Sequence, residues 1–323
     1  MPQQVYPHIY CIRIPLPNNP LKELNSYVVV APNRNLIVDT GFNQPECEEA
    51  LFGGLQELGV DLTSTDVLLT HLHADHTGLA RKLEKQGARI LAGATERVTI
   101  LSSSDSSSWT RVTAMIKKYG LEKYNVPLEK LPGYRYRPEE LDAVYPLTEG
   151  DELTYGDFTF SVVDIPGHTP GHIGLYEKKK GLLFCGDHIL ASITPNITLW
   201  SYDLDSLAQY LASLAKVREM NIRTLFTAHR AAVADPTARI DQLICHHQQR
   251  LQEILQILAG GEGSAADVAA QMKWEIRAKD WEEFPVAQKV FATGEAAAHL
   301  EYLFHAGQIQ RTTADGVMYY SLP

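Results

Sequence analysis

The chain has 323 residues, of which 45% are hydrophobic and 21% charged, a composition typical of a globular protein with one large domain or two of ordinary size. Its formal net charge of −10 disfavours nucleic acid as a partner, because nonspecific affinity for nucleic acid rests mostly on lysine and arginine contacts to phosphates. No stretch approaches the roughly 20 apolar residues of a membrane span, and no charged start followed by an apolar run opens the chain. We therefore expect a cytoplasmic protein without membrane contact.

The cysteines and the one lysine run carry little functional signal. Cys11, Cys47, Cys185 and Cys245 are scattered without CxxC spacing, which favours free or buried thiols in a reducing compartment over disulfides or metal ligands. The run 178–180 is three lysines before Gly181 and between two apolar segments. This pattern predicts a solvated hairpin tip and not a phosphate-binding patch.

The first part of the chain alternates between strand and helix patterns. Periodicity and turn residues predict strands at 5–14, 26–30, 36–38 and 67–69, and helices at 45–58 and 78–86. From 102 to 143 the sequence becomes irregular, with a serine-rich run, a helix predicted at 109–119 and a proline-broken aromatic stretch around Tyr134 and Tyr136. We interpret this region as an insertion.

Strand patterns resume after the insertion. Strands are predicted at 153–155, 158–163, 173–176, 182–184 and 224–227, with helices at 204–217 and from the Asp235-Pro236 pair to about 258. The glycine cluster at 260–263 then predicts a domain boundary. We expect a catalytic domain at 1–259 and a small C-terminal domain at 260–323.

The segment 70–76, THLHADH, holds four side chains of metal-ligand type, namely His71, His73, Asp75 and His76. In an extended loop, residues i and i+2 point to the same side, so His71 and His73 can bind one metal ion. A turn at Ala74 can direct Asp75 and His76 toward a second ion. A loop of merely exposed histidines is disfavoured, because imidazoles packed this closely repel each other when protonated. The segment therefore predicts a site for two metal ions.

Further ligand-type side chains follow three later predicted strands, namely His168 and His172, then Asp187 and His188, and finally His229. Because α/β folds commonly present their sites at strand ends, we expect these residues near the first motif. A carboxylate can bridge two cations about 3.5 to 4 Å apart, so Asp187 is suited to join two ions. Spacing alone leaves both His168 and His172 available as ligands.

In order and spacing, these motifs resemble the metallo-β-lactamase superfamily over most of residues 1–240. The matching elements are a DTG turn at Asp39, a glyoxalase II-like HxHxDH motif at 71–76, the GHTPGH turn at His168, the GD motif at Asp187 and the late His229. The resemblance implies an α/β fold, an αββα sandwich. It also implies two divalent metal ions per chain, zinc in the first place, with iron and manganese also suited to such ligands.

The resemblance also assigns roles to single residues. It implies that His71, His73 and His168 bind the first metal, that Asp75, His76 and His229 bind the second, and that Asp187 bridges them. Asp39 and His172 would orient the ligand loops. His188 departs from the small residue common at its position, and it either faces substrate or hydrogen-bonds within the core. The remaining histidines are expected in surface or packing roles, namely His8, His246, His247, His299 and His305.

The implied chemistry is hydrolysis by a hydroxide that bridges the two metals, with Asp75 orienting the nucleophile or moving its proton. We expect a small-molecule ester, thioester or lactone as substrate, although the tyrosine that some lactonase relatives carry shortly after the bridging aspartate has no counterpart at His188, Ile189 or Leu190. One alternative is a phosphodiesterase or ribonuclease of the same fold. Another is a mononuclear iron dioxygenase-like member, which the complete second ligand set disfavours.

The C-terminal part resembles the winged-helix domain appended to some members of the superfamily, including a β-lactamase-like endoribonuclease. Its predicted order is a helix at 265–272, an aromatic linker, a helix ending near Gly307 and a hairpin that turns at 314–316. Acidic residues outnumber basic ones here, so we expect a role in packing, dimerisation or covering the site and not in DNA binding. A homodimer is compatible with the sequence.

Overall fold

The computed structural model describes residues 1–275 and 278–323, and within these ranges the first sheet has seven strands in chain order. They are β1 (Gln3–Tyr6), β2 (Ile9–Pro15), β3 (Glu23–Val29), β4 (Asn35–Val38), β5 (Thr65–Leu69), β6 (Arg89–Gly93) and β7 (Tyr145–Leu147). The pairs from β1 to β4 are antiparallel, and those from β4 to β7 are parallel. The carboxyl ends of the parallel strands therefore lie at one edge of the sheet.

The second sheet has five strands in the order β12-β11-β10-β9-β8. They are β8 (Glu152–Tyr155), β9 (Phe158–Asp164), β10 (Ile173–Glu177), β11 (Leu182–Gly186) and β12 (Thr224–Thr227). The pairs from β8 to β11 are antiparallel, whereas β11 and β12 are parallel. The hairpin between β10 and β11 turns at the lysine run, as predicted.

Ten α-helices accompany these sheets in the described ranges. They are α1 (Pro45–Glu57), α2 (Ala74–Thr77), α3 (Ala80–Glu84), α4 (Ala94–Ser102), α5 (Thr110–Lys118), α6 (Pro132–Arg135), α7 (Ser206–Arg218), α8 (Pro236–Leu258), α9 (Ala265–Ala269) and α10 (Val286–His305). None of these helices is long and apolar enough to cross a membrane. The cytoplasmic location and the homodimer stay predictions.

The two large sheets face each other across a core to which both contribute buried side chains, among them Leu36, Val38, Leu68, Phe160, Leu175 and Phe184. Fully burying a side chain such as Phe160 or Leu175 stabilises the fold by roughly 1.5 to 3 kcal/mol. Two further clusters cover the outer faces: α1 and α3 pack on the first sheet, and α7 and α8 pack on the second. The predicted αββα sandwich is confirmed.

Several predicted boundaries were wrong. The strand predicted at 5–14 is broken into β1 and β2 by a turn at His8, which has a φ of 63°. The helix predicted at 78–86 begins earlier, as α2 within the histidine motif, and resumes as α3. The pattern search missed β6, α4 and β7, because β6 and β7 are short parallel strands whose pairing is decided by distant neighbours.

The predicted insertion at 102–143 contains α5 and α6 and bridges the two halves of the sandwich. Ile116, Tyr119 and Leu131 pack into the cluster around α7 and α8. Tyr136 and Leu141 pack with the cluster around α1. The insertion therefore spans the edge of the sandwich at which the two sheets meet.

The C-terminal segment adds a third sheet in the order β13-β15-β14, made of β13 (Gly263–Ser264), β14 (Gln310–Ala314) and β15 (Val317–Ser321). Ser264 and Asp267 form a capping box at the start of α9. The long helix α10 packs against α9, α8 and α7, so it lies directly on the outer layer of the second sheet. The winged-helix description of this segment stays a prediction, as does the domain boundary at 259/260.

Candidate metal centre

The ligand-type residues lie where strands end at one edge of the sandwich. His71 follows β5 by two residues, Asp187 directly follows β11, and His229 follows β12 by two residues. His168 stands in the turn between β9 and β10. His73 has extended backbone angles, φ −63° and ψ 147°, and α2 begins directly after it. The chain therefore turns at Ala74, as predicted, and this turn is the start of a short helix that carries Asp75 and His76.

The first group consists of His71, His73, His168 and Asp187, whose ligand atoms lie within 4.8 Å of one another. The Nδ1 atom of His73 lies 2.9 Å from Nε2 of His71 and 3.0 Å from Nε2 of His168. Asp187 Oδ2 is 3.6 Å from His168 Nε2. Three imidazole nitrogens and a carboxylate oxygen therefore converge on one point.

The second group consists of Asp75, His76 and His229, again within 4.8 Å of one another. Asp187 also contacts this group, since its Oδ2 lies 3.7 Å from His76 Nε2 and its Oδ1 lies 3.4 Å from His229 Nε2. Asp75 Oδ2 is 3.4 Å from His229 Nε2. Asp187 is thus the residue that lies between the two groups.

Burial and local charge set the protonation of these side chains. Burial, followed by the neighbouring imidazoles, holds the pKa of His71 well below its usual value, and burial with His168 lowers the pKa of His73 to about 3. Burial opposes the charge of Asp187, but His229 and His76 outweigh it and keep the pKa of that carboxyl well below its usual value. Neutral imidazoles and ionised carboxylates are the forms that bind metals.

His76 differs from the other histidines. Burial alone would lower its pKa, but the charges of Asp39, Asp75 and Asp187 outweigh burial and raise the pKa of His76 well above its usual value. Before any cation binds, the second group therefore favours a proton on His76. A metal ion would take the place of that positive charge among the three carboxylates.

The donor set fits divalent metal ions. Among the described residues, His76 Nε2, His229 Nε2 and Asp187 Oδ1 are buried atoms that lack a hydrogen-bond partner, and both imidazole nitrogens lie within 3.7 Å of the Asp187 carboxylate. Buried polar atoms without partners are costly, and a metal ion that binds them would satisfy the three that belong to these groups. Imidazole and carboxylate ligands suit zinc, iron and manganese.

Asp39 and His172 lie directly behind the two groups. Asp39, at a φ of 62°, accepts a hydrogen bond from the backbone N–H of Thr70 at 2.9 Å, and its Oδ2 lies 2.8 Å from His76 Nδ1. The Nε2 atom of His172 accepts a hydrogen bond from the backbone N–H of Asp187 at 3.2 Å. Between the two histidines of the GHTPGH turn, His168 therefore lies in the first group, and His172 contacts the backbone behind it.

His188 and the remaining histidines belong to neither group. The His188 ring is fully buried, 5.2 Å from the Tyr210 ring, so it does not face a substrate from solvent. His247 and His299 are buried with nitrogens 3.0 Å apart, and His8 is exposed in a turn. The thiols of Cys11, Cys47, Cys185 and Cys245 are free, as expected.

Pattern reasoning missed several residues that support the site. Glu96 of α4 accepts the backbone N–H of Gly171 at 2.7 Å, and Glu295 of α10 accepts the side-chain N–H of Asn196 at 3.0 Å. Asn196 and Trp200 lie in a tract that the sequence placed near the mouth of the site, and both bind His168. Nothing in the sequence marks Glu96 or Glu295, because each contacts a turn or loop that is far away along the chain.

An αββα sandwich with two adjoining histidine–carboxylate groups at one edge is typical of metal-dependent hydrolases. Residues 22–229 match the family model described as metallo-beta-lactamase superfamily. The chain belongs to this superfamily, and the predicted resemblance is confirmed. Residues 251–322 match a second model, described as metallo-beta-lactamase-like, C-terminal domain.

Solved and curated relatives agree with this assignment. A metallo-beta-lactamase family protein from Thermus thermophilus superposes with a TM-score of 0.84 and 28% identity, over 99% of this chain and 100% of that one. A beta-lactamase-like protein 2 homolog from Drosophila melanogaster is 28% identical over 73% of this chain and 68% of its own length.

Two more relatives carry enzyme names. A hydroxyacylglutathione hydrolase from Nitrosomonas eutropha is 28% identical over 65% of this chain and 63% of its own length. An atrochrysone carboxyl ACP thioesterase from a Cryptosporiopsis species is 22% identical over 84% of this chain and 72% of its own length. Family membership and the ligand groups together support the predicted class of enzyme, a metal-dependent hydrolase.

Proposed function

We propose that the protein is a dinuclear metal-dependent hydrolase that cleaves thioesters, and related esters or lactones, of small molecules. The observation that carries the proposal is the place of Asp187, whose Oδ2 lies 3.6 Å from His168 Nε2 in the first group and whose Oδ1 lies 3.4 Å from His229 Nε2 in the second. A carboxylate in this place is suited to hold two ions side by side. Zinc is the metal that we expect first.

Each residue of the two groups has a proposed role. His71, His73 and His168 would hold one ion, Asp75, His76 and His229 the other, and Asp187 both. Bound divalent cations lower the pKa of a coordinated water to about 7 and polarise the oxygen of the scissile bond. Asp75 is the group suited to orient the attacking water and receive its proton, because its side chain is still 12% exposed and His76 and His229 lower its pKa and so keep it ionised against burial.

The cysteine nearest the centre in sequence is not suited to act as a rival nucleophile. Cys185 stands two residues before Asp187, but burial raises the pKa of its thiol to about 12. A protonated thiol is a poor nucleophile at neutral pH. This supports direct attack by water over a covalent thiol intermediate.

The insertion supports an anionic substrate. A cavity of about 430 Å³ is lined by Glu129, Lys130, Tyr134, Arg135 and Arg137, three cations against one carboxylate in a chain of net charge −10. It adjoins α6, and α6 packs against α2, which carries Asp75 and His76. Cations on an element that packs against α2 are suited to bind the carboxylates or phosphates of a thiol carrier. The relatives named for acylglutathione and carrier-protein thioesters point to the same class of substrate.

A phosphodiester substrate is the second candidate, because the same three cations of the cavity would attract phosphate. The test is to load the purified full chain with zinc and to compare hydrolysis of glutathione and coenzyme A thioesters, a nitrophenyl ester, a lactone and bis(nitrophenyl) phosphate. We expect the highest kcat/KM on a thioester. Turnover of the phosphodiester alone would overturn the proposal in favour of the second candidate.

A further inference from the structure

The loop of residues 190–202, here called the site loop, determines how His168 is held. The Asn196 carbonyl accepts a hydrogen bond from Nδ1 of His168 at 2.8 Å, and Trp200 Nε1 donates to the His168 backbone carbonyl at 2.9 Å. A hydrogen bond at Nδ1 leaves Nε2 free and fixes the orientation of the ring. Nε2 is the His168 atom that lies in the first group.

The site loop is held partly by the C-terminal helix, in addition to Arg239 of α8, which donates to the Leu190 and Ile193 carbonyls, and Tyr119, which donates to the Leu199 carbonyl. The structure describes the whole loop and shows no strand or helix in it, so no ladder of backbone hydrogen bonds fixes it. Instead, Leu199 donates its backbone N–H to the Gly294 carbonyl of α10 at 3.1 Å. A Cβ atom on Gly294 would lie 2.0 Å from Thr198 Oγ1, so α10 and the site loop are in close contact.

Glu295 is the charged residue at this contact. It is buried to 7% exposure, and its Oε2 accepts a hydrogen bond at 3.0 Å from the Asn196 side-chain amide, which also donates to the Phe291 backbone carbonyl of α10 at the longer distance of 3.3 Å. Its other oxygen lies 3.6 Å from Nε of Arg250, which is longer than a hydrogen bond. Burial raises the pKa of this carboxyl, against the opposing effects of Arg250 and Asn196.

Burying a carboxylate is costly unless hydrogen bonds or a paired charge offset its loss of hydration. The shortest side-chain contact of Glu295 is with Asn196 and not with Arg250. Asn196 is in turn the residue whose carbonyl fixes His168. A continuous path of contacts therefore runs from α10 to the first group.

We propose that Glu295 is a positioning residue for the metal centre. It holds the Asn196 side chain, so that the backbone carbonyl of Asn196 orients the His168 ring. The inference rests on the proposed role of His168 as a metal ligand. It gives the C-terminal segment a defined part in the site, namely setting the affinity of the first group for its metal. Supporting residues of this kind contribute about 10- to 100-fold in metal affinity.

The test uses the full chain, stripped of metal and titrated with zinc against a chromophoric chelator. We expect Glu295→Ala and Asn196→Asp to weaken one of the two binding steps by about 10- to 100-fold, and Glu295→Gln to stay within about 3-fold because its carbonyl still accepts the Asn196 amide. Cobalt-substituted Glu295→Ala should show an altered ligand-field spectrum. A purely structural role would not change that spectrum.

The matched control is Glu301→Ala on the same helix. Glu301 is fully buried and pairs with Arg311 and Tyr320, which contact Tyr202 at the end of the site loop and not Asn196. This variant should lose stability and keep the zinc affinity of the parent. Equal losses of affinity in Glu295→Ala and Glu301→Ala, or none in Glu295→Ala and Asn196→Asp, would overturn the inference.

A His168→Ala variant separates the two proposals. If its zinc binding matches that of the parent, the ligand assignment fails and the positioning role of Glu295 fails with it. If His168→Ala loses one binding step while the Glu295 and Asn196 variants keep parental affinity, only the positioning role fails.

Discussion

The Nδ1 atom of His76 lies 2.8 Å from Oδ2 of Asp39, and both side chains are buried at the end of the first sheet. The same carboxylate accepts the N–H of Thr70, the residue before the histidine motif. The single carboxylate of Asp39 therefore holds both the backbone at the start of the motif, at Thr70, and the ring of His76. Its left-handed φ of 62° is a conformation that aspartate and asparagine adopt more readily than most residues.

We predict that Asp39→Asn lowers the affinity of the second group for its metal by about 10- to 100-fold, because the charge that orients His76 is lost while the backbone conformation is kept. Zinc titration of the metal-free protein measures this. Asp61→Asn is the control, since Asp61 is an exposed cap far from the site. An unchanged affinity in Asp39→Asn would show that Asp39 has no part in holding His76.

Replacing Asp75 tests its role as proton acceptor. Asp75→Asn keeps the shape of the side chain but removes its basicity, and we expect kcat to fall by about 100- to 10,000-fold. The measurement is steady-state thioester hydrolysis at a fixed metal content, confirmed by elemental analysis. Normal kcat with two metals bound would exclude a role for Asp75 in proton transfer.

Lys130 and Arg135 line the cavity in the insertion, and both are exposed. We expect Arg135→Ala to raise KM for an anionic thioester by about 10-fold, which corresponds to about 1.4 kcal/mol, and to leave KM for a neutral thioester unchanged. Lys130→Ala should act in the same direction. Lys179→Ala, at the exposed hairpin tip, serves as the control of equal charge change. Equal effects on neutral and anionic substrates would argue against a carrier site in the insertion.

Glu96 makes stability depend on pH. Burial, opposed by the Gly171 N–H and the Thr169 hydroxyl, raises the pKa of this carboxyl from its ordinary 4.5 to about 7. The pKa of Glu96 is higher in the folded than in the unfolded chain. The contribution of Glu96 to the free energy of unfolding is therefore fully present below about pH 4.5 and is lost as pH rises through 7.

Glu96→Gln removes this loss and keeps the acceptor for Gly171. We expect the variant to gain free energy of unfolding relative to the parent between about pH 5 and about pH 8.5, by at most about 3 kcal/mol. Denaturant unfolding of both metal-free proteins at the two pH values measures this. A stability difference that is the same at both pH values would contradict the raised pKa.

The clustering of the ligand-type residues could be predicted from the sequence, because imidazoles and carboxylates at strand ends form a dense and specific pattern, and the family resemblance that this pattern carries implied the sandwich. It did not predict that Asp75 and His76 lie in a helix, since α2 is a single turn without a hydrophobic period of its own. The metal assignments of His71, His73, His168, Asp187 and His229 stay predictions that the geometry accommodates.

The residues that support the metal ligands could not be predicted from the sequence, for a different physical reason. Asn196 acts on His168 through its backbone carbonyl, which every residue possesses, so its identity carries no signal. Glu295 contacts a residue 99 positions away, through packing of α10 on the site loop. Contacts of this kind depend on tertiary packing and leave no periodicity in the sequence.

The most direct measurement is a titration of the metal-free chain with zinc, in which thioester hydrolysis and bound metal per chain are followed together. The proposed bridging role of Asp187 predicts that activity rises with the second equivalent and reaches its plateau at two metals per chain. In Asp187→Ala both the second equivalent and the activity should be lost. Full activity at one metal per chain, or two bound metals in Asp187→Ala with parental turnover, would contradict a dinuclear mechanism.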